Sequence, residues 1–453
     1  MPLGAKSKSS GIWSGVIEKC ERKLVNWKCQ YLSLGGRLTL VNSVLDALPS
    51  YMMSIFPIPA KVTKRLDAIR RNFLWKGSED KKKYHLVKWE ELLVSKRGGG
   101  LNIRYLSTQN NNLMMKWLWK FASPEVSLWK EVITTKYGME DKWMTDGVTS
   151  PYDCSVWRSI RNLRLLWLLV KDRTKCKVGN GEKVAFRNGI WCGQETLKQA
   201  FPKLHSLSQA QETSVADLWT GQGWNLHLRR NLNDWEITSI ARFHDTMARA
   251  TNLAEEQDRL IWKGERKGEF TVRSTYRELR PIEEQKAGWP WRMIWRTKIP
   301  YKVNYFTWLL AKEEVLTHEN LNKRKCNLCS RCYLCEEQVE TVNHLLLHCK
   351  WTDQLWQMFI HKREIKWTKP GRITEVLKCW NSDGNAGKKE ERWRIVPACI
   401  WWTIWNERNQ RCFEGKNNNI QKIKINYLGL YYFWCKQVVI GNSEDVSNVI
   451  DWL

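Results

Sequence analysis

Seven cysteines and histidines, residue types that hold metal ions, lie between Cys326 and Cys349 inclusive. Cys326, Cys329, Cys332 and Cys335 fall at every third position, and His344, His348 and Cys349 follow. Zinc takes four soft or borderline donors in a tetrahedron, and two cysteines separated by two residues chelate one face of it. Cys332 and Cys335 make such a knuckle. With His344 and Cys349 they give a Cys-x2-Cys-x8-His-x4-Cys arrangement. His348, one turn beyond His344, is a rival fourth donor, although thiolate binds zinc more strongly and favours Cys349. Cys326 and Cys329 could replace the Cys332–Cys335 knuckle or form a second half-site. The plain alternative is a group of reduced core thiols without metal. The spacing favours one structural zinc on Cys332, Cys335, His344 and Cys349.

A second chemistry is electrostatic. The 453 residues carry a formal net charge of +27, and an excess of that size points to a polyanion, with nucleic acid as the default partner. Lys61, Lys64, Arg65 and Arg71 lie on the polar side of a helical stripe, and Lys81, Lys82 and Lys83 follow in a basic run. These seven are candidate contacts to the phosphates of RNA or DNA, with low sequence specificity. A merely solvated face is the competing reading. The glycine run in "SKRGGGLNI" (Ser95 to Ile103) is a turn or linker and not a phosphate loop, because its Lys precedes the glycines and no Gly-Lys-Ser/Thr follows. The 29 tryptophans could stack on bases, but many fall at helical intervals beside Leu and Phe, which reads as core.

The elements that position these groups are mainly helices. Val16, Ile17, Cys20, Leu24 and Trp27 form one apolar stripe, which "LGGR" (Leu34 to Arg37) is expected to break. Leu40 to Leu48 forms a second stripe, ended by Pro49. Val62, Leu66, Ile69 and Phe73 give a third, and Thr108 to Phe121 a fourth. "CKVGNGEKVAF" (Cys176 to Phe186), with Asn180-Gly181 at its turn, and "LIWKGERKGEFTVRSTY" (Leu260 to Tyr276), turning near Lys267-Gly268, are expected to be β-hairpins. Ala200 to Glu256 reads as broken helix, and Pro281 to Gly288 as a linker. Helices are expected again over Trp393 to Phe413 and from Ile420 to about Val439, while "VNHLLLHCKWTDQLW" puts His344 and Cys349 on or near a helix.

Around the knuckle the residues resemble a known family. "WRTKIPYKVNYFTWLLAKEEVLTHENLNK" (Trp295 to Lys323), the knuckle and "ETVNHLLLHC" are similar to the reverse-transcriptase zinc-binding domain near the C-terminus of plant LINE-type non-LTR retrotransposon polyproteins. Trp295, Pro300, Lys302, Val303, Phe306, Trp308, Leu316, Thr317, Asn320, Leu321 and Glu340 fall in the family's order with Cys332, Cys335, His344 and Cys349. The resemblance implies Cys349 over His348, and Cys326 and Cys329 as incidental. "KLVNWKCQYLSLGGRLTLVNSVLDALPSYMMSIFPIP", "VGNGEKVAFRNGIWCG", "GEFTVRSTY" and "WTIWNERNQRCFEG" resemble other blocks downstream of the polymerase palm, so nearly the whole chain is covered. The polymerase itself needs a Tyr/Phe-x-Asp-Asp motif to hold two metal ions, and this chain contains no Asp-Asp pair.

The expected fold is mainly α with small β-hairpins (α+β). The expected regions are a helical thumb-like part over 1–95, a mixed linker region over 96–285, the zinc-binding domain over 286–362 and a Trp-rich helical tail over 363–453. The expected function is nucleic-acid binding by a retrotransposon-derived protein with a structural zinc module and no catalysis of its own. The alternative is a transposon remnant without function, named after reverse transcriptase or ribonuclease H by similarity alone. No apolar run approaches the roughly 20 residues that span a bilayer, so no membrane partner is expected. "MPLGAKSKSSGIW" lacks a hydrophobic signal core, which points to the nucleus or cytoplasm, the nucleus being favoured.

Overall fold

The computed structural model describes residues 9–26, 32–75, 84–140, 142–147, 155–209, 212–221, 223–231, 233, 236–248, 255–280, 288–362, 367–380 and 388–438. The chain runs through α1 (Ser14–Asn26), α2 (Leu34–Leu40), α3 (Ala60–Trp75) and α4 (Leu106–Ala122), then β1 (Thr174–Lys177) and β2 (Arg259–Trp262). It continues through α5 (Val272–Leu279), α6 (Trp291–Trp295), α7 (Tyr301–Ala311), α8 (Lys350–Lys362), α9 (Lys388–Glu414) and α10 (Ile420–Val438), with further helices between the labelled elements. Among the described residues the fold is mainly α with one small antiparallel sheet, as its composition of helical stripes implies. Two units make it up, both discontinuous in sequence. One comprises Met1–Cys20, Asp46–Asp67 and Tyr105–Pro281, the other Glu21–Leu45, Ala68–Arg104 and Ile282–Leu453. Among the described residues no helix is long and apolar enough to cross a membrane.

In the first unit, α4 supplies the organising helix. Its face carries Met114, Met115, Leu118 and Phe121 into a core with Trp157, Trp167, Phe186, Phe243 and Trp262. The buried Asn110 on α4 satisfies an otherwise awkward turn. Its Nδ2 donates to the carbonyls of Met53 (2.6 Å) and Phe56 (2.8 Å), and its Oδ1 accepts from the Ile58 amide at 2.9 Å. A polar side chain with all these bonds made costs little to bury, whereas an orphaned one is expensive.

Neither expected hairpin forms a strand ladder of its own among the described residues. β1 pairs with β2, Thr174 opposite Trp262 and Lys177 opposite Arg259. Asp258, fully buried, gives the physical reason. Its carboxylate accepts from the amides of Gly179 (2.7 Å), Gly181 (2.9 Å), Lys183 (2.7 Å) and Val184 (3.2 Å). Those donors are therefore unavailable for a local ladder, and the strand before them takes a partner from far along the chain. Gly181 does turn, with φ of +75°. After β2 the chain loops until the Trp262 amide donates to the Gly268 carbonyl at 2.8 Å. Then Thr271 caps α5, its hydroxyl accepting from the Ser274 amide at 3.1 Å, so "TVRSTY" is helix and not strand.

In the second unit the "LGGR" segment also departs from expectation. It opens α2 instead of breaking a helix, with the Ser33 hydroxyl accepting from the Gly36 amide at 3.1 Å. The glycine serves close approach: a Cβ on Gly35 would lie 2.3 Å from Cδ1 of Tyr301. α7 is buried over nearly its whole length. Its Trp308 indole donates to the Gly99 carbonyl at 2.9 Å, and its Phe306 packs against Trp402 and Trp405 of α9. Trp356 of α8 sits among Trp367, Trp380 and Trp401. No described tryptophan is exposed, which agrees with their reading as core.

Candidate metal centre

The knuckle is a tight loop held at both ends. The Glu340 amide donates to the Ser330 carbonyl and the Cys332 amide to the Gln338 carbonyl, each at 2.8 Å. The Glu336 amide closes the turn onto the Cys332 carbonyl at 2.9 Å, with Glu336 itself left-handed at φ of +60°. That turn brings the Cys332 and Cys335 side chains inward, and both are buried.

The other two donors come from a π-helical turn, His344–His348, just before α8. In an α-helix residues five apart point about 140° away from one another, whereas residues four apart nearly align, which would present His344 and His348 together. Here the Cys349 amide donates to the His344 carbonyl at 2.7 Å, an i to i+5 bond. The wider turn brings the fifth residue back over the first, so His344 faces the same way as Cys349. A π turn loosens the carbonyls around it, and two buried donors satisfy them. Thr352 Oγ1 bonds the Leu345 carbonyl at 2.6 Å, and the Trp356 indole bonds the Leu346 carbonyl at 3.3 Å.

Sγ of Cys332, Cys335 and Cys349 and a ring nitrogen of His344 lie within 4.8 Å of one another, all four residues buried. The Cys335 sulfur stands 3.3 Å from His344 Nε2. The donors of a zinc tetrahedron with ordinary bond lengths are ~3.3–3.8 Å apart, so this constellation would close on an ion by contracting about 1 Å at most. The thiols already share protons. Cys332 is pushed up to about 12, first by its hydrogen bond to Cys349 and then by burial, while the same bond holds Cys349 below the usual thiol range. The His344 imidazole is raised, chiefly by its hydrogen bond to Cys332, against the opposing effect of burial. An ion that displaces these protons would take thiolate donors.

The rival donors lie elsewhere. His348 is exposed, with Nε2 3.5 Å from the Gly371 carbonyl. Cys326 contacts the Tyr84 hydroxyl at 3.0 Å, and Cys329 is exposed.

Beneath the centre lies an ionic support from α9. Arg408 Nη2 donates to Glu340 Oε1 at 2.7 Å and its Nε to both carboxylate oxygens at 3.2 and 3.3 Å, with both side chains buried. The same carboxylate accepts from the His318 amide at 3.1 Å. Arg408 also stands 5.3 Å from the Tyr333 ring centroid. One turn on, Arg411 Nη1 donates to the carbonyls of Tyr333 and Leu334 inside the knuckle, at 3.4 and 3.3 Å, and its Nε to Glu407 at 2.8 Å. Spacing alone did not single out Glu407, Arg408 and Arg411. Their signal is three charges on one side of α9, just after the apolar run Ile395 to Trp405, where only a buried partner justifies them.

Of the basic candidates, Lys61, Lys64 and Arg65 are exposed on α3, Arg71 on the same helix is half-buried, and Lys81, Lys82 and Lys83 lie outside the described residues. The apolar stripe of α3 faces inward: Val62, Leu66, Ile69 and Phe73 are buried.

Residues 270–356 match the family described as zinc-binding in reverse transcriptase. Over the whole chain, the sequence is 27% identical to an Arabidopsis thaliana protein whose name assigns it provisionally to ribonuclease H, covering 73% of that relative. Over 116 residues, 25% of the chain, it is 32% identical to an uncharacterized mitochondrial protein of Arabidopsis thaliana, covering 74% of it. With the four metal-type donors gathered inside the matched domain, the chain belongs to the retrotransposon-derived proteins that carry the reverse-transcriptase zinc-binding domain.

Proposed function

We propose that this is a nucleic-acid-binding protein whose zinc is structural, held by Cys332, Cys335, His344 and Cys349. The observation that carries the reading is the closed donor set. Four protein donors converge, all of them buried, whereas a catalytic zinc keeps a position open for water or substrate. Three thiols and an imidazole are a soft set that suits zinc far better than magnesium or calcium. Bound there, zinc would supply folding free energy to the knuckle and the π turn, joining segments too short to hold their geometry alone. From the other side Arg411 of α9 holds the knuckle carbonyls and Arg408 the Glu340 carboxylate, so donors and support act on one loop.

The partner is a nucleic acid, RNA or single-stranded DNA, bound with little sequence preference. The net charge of +27 supports it, since each phosphate neutralised by Lys or Arg releases counterions and drives association. Lys61, Lys64, Arg65, Arg71 and Lys81 to Lys83 are expected contributors. The chain makes no DNA of its own in this reading, because it has no Asp-Asp pair to hold the two metal ions of a polymerase. Three measurements on the purified chain test the proposal. Metal analysis is expected to give one zinc per chain, and filter binding of an oligonucleotide a strong salt dependence. Primer extension on an RNA template with magnesium is expected to give no product. Absence of stoichiometric zinc, salt-independent binding or robust extension would each overturn the corresponding part.

A further inference from the structure

The glycine turn of "SKRGGG" has no role in the metal centre, yet it is built with care. The amides of Gly98 and Gly100 donate to the Ser95 carbonyl at 3.0 and 2.8 Å, and Gly99 turns at φ of +97° with its Cβ position 3.3 Å from the Trp289 ring. A side chain at Gly99 would be strained and crowded, so the turn is tied to the aromatic surface beneath it. It presents two cations to the helices that follow Trp289. Lys96 Nζ stands 4.4 Å from the Trp295 ring centroid and 5.6 Å from that of Tyr301. Arg97 Cζ stands 5.1 Å from the Trp291 centroid.

Two more guanidiniums share that indole. Arg296 Cζ is 5.1 Å and Arg292 Cζ 5.7 Å from the Trp291 centroid. Arg97, Arg292 and Arg296 are all exposed. Arg97 and Arg296, each 5.1 Å from one point, are at most about 10 Å apart, a separation comparable to the screening length of about 8 Å at physiological salt. Among the described residues neither has a carboxylate partner. Arg97 and Arg296 are thus two like charges on one indole, an arrangement that an external anion would join.

We infer that Lys96, Arg97, Arg292 and Arg296, arrayed on Trp291 and Trp295, form a surface that takes the phosphodiester backbone of a single-stranded nucleic acid. A guanidinium lying on an indole keeps its edge N–H donors free and loses little further rotamer freedom when a phosphate arrives. Tyr301, 39% exposed beside Lys96, offers a ring on which an unpaired base can stack. A strand alone presents both groups, a chain of phosphates and accessible base faces. This inference rests on the nucleic-acid reading above and locates it.

The test uses the full zinc-loaded chain and a labelled 20-nucleotide oligo(U) in a salt titration. Arg97→Gln with Arg296→Gln is expected to weaken binding and to flatten the log–log slope by about 1.4, from roughly 0.7 per phosphate contact on a single strand. Arg97→Lys with Arg296→Lys keeps the charge and is expected to restore most of the slope. Crosslinking of wild type to a 4-thiouridine oligonucleotide is expected to label the segment from Trp291 to Tyr301. If wild type binds but the Gln pair leaves its slope unchanged, this surface is wrong and the nucleic-acid reading survives. If wild type binds nothing, both fall. Should the Gln pair lose its metal, the wild-type crosslink map decides: labels confined to other segments overturn the inference.

Discussion

Arg408→Met removes the guanidinium beneath the metal centre while keeping most of the side chain's apolar bulk. In the wild type both partners of the Arg408–Glu340 pair are shielded, at 2% and 0% side-chain exposure. Without Arg408 the Glu340 carboxylate keeps the His318 amide at 3.1 Å as its one close donor, the Tyr333 amide standing at 3.5 Å. Leaving one charge of a buried pair uncompensated costs about 3–5 kcal/mol. Glu340 lies between Cys335 and His344 in the chain, so the damage falls on the donor loop itself. Where metal binding and local folding are one equilibrium, that cost appears in metal affinity as a loss of roughly a hundred- to several-thousand-fold, at 1.4 kcal/mol per decade. Competition against a chromophoric chelator reads the affinity directly, and a thermal melt reads the accompanying loss of stability. Adding Glu340→Gln to Arg408→Met removes the orphaned charge and is expected to recover part of the loss, the coupling following from the double-mutant cycle. Wild-type zinc affinity and melting temperature in Arg408→Met alone would refute the view that α9 supports the metal centre.

Further outcomes follow from the same contacts. Cys335→Ser is expected to abolish stoichiometric zinc and the ~10 kcal/mol or more of local folding free energy that goes with it, while Cys326→Ser keeps the metal; metal analysis of both variants reads the choice of donors. Lowering the pH is expected to release zinc, because protons compete for the thiolates and for His344; the raised imidazole brings that competition in at higher pH than for an ordinary histidine, and a pH-independent affinity in chelator titrations would contradict the donor set. Asp258→Ala is expected to lower stability by about 3 kcal/mol or more, since it strands several buried amides at once, and a denaturant titration showing a change under 1 kcal/mol would argue against the role given to that carboxylate.

The sequence by itself determined the helical stripes, the basic balance and the identity of four candidate donors. These are local properties: a period of three to four residues, a count of charges, a chelating pair two residues apart. Val62, Leu66, Ile69 and Phe73 were readable as an inward face because the helix repeats within a few residues. His348 stayed a rival to Cys349, which thiolate chemistry and the family resemblance favour, because the geometry depends on whether the turn after His344 is α or π. The structure makes it π, and it can do so because Thr352 and Trp356 satisfy the loosened carbonyls. Tertiary structure alone decided the remaining features, for one shared reason: each depends on a partner that sequence proximity does not mark. β1 left its expected hairpin because Asp258, more than seventy residues on, collects the amides of the loop that follows it. "LGGR" opens a helix capped by Ser33, and its Gly35 leaves the Tyr301 ring the space of a missing Cβ. Arg408 reaches Glu340 across 68 residues, and only burial of both makes that contact consequential.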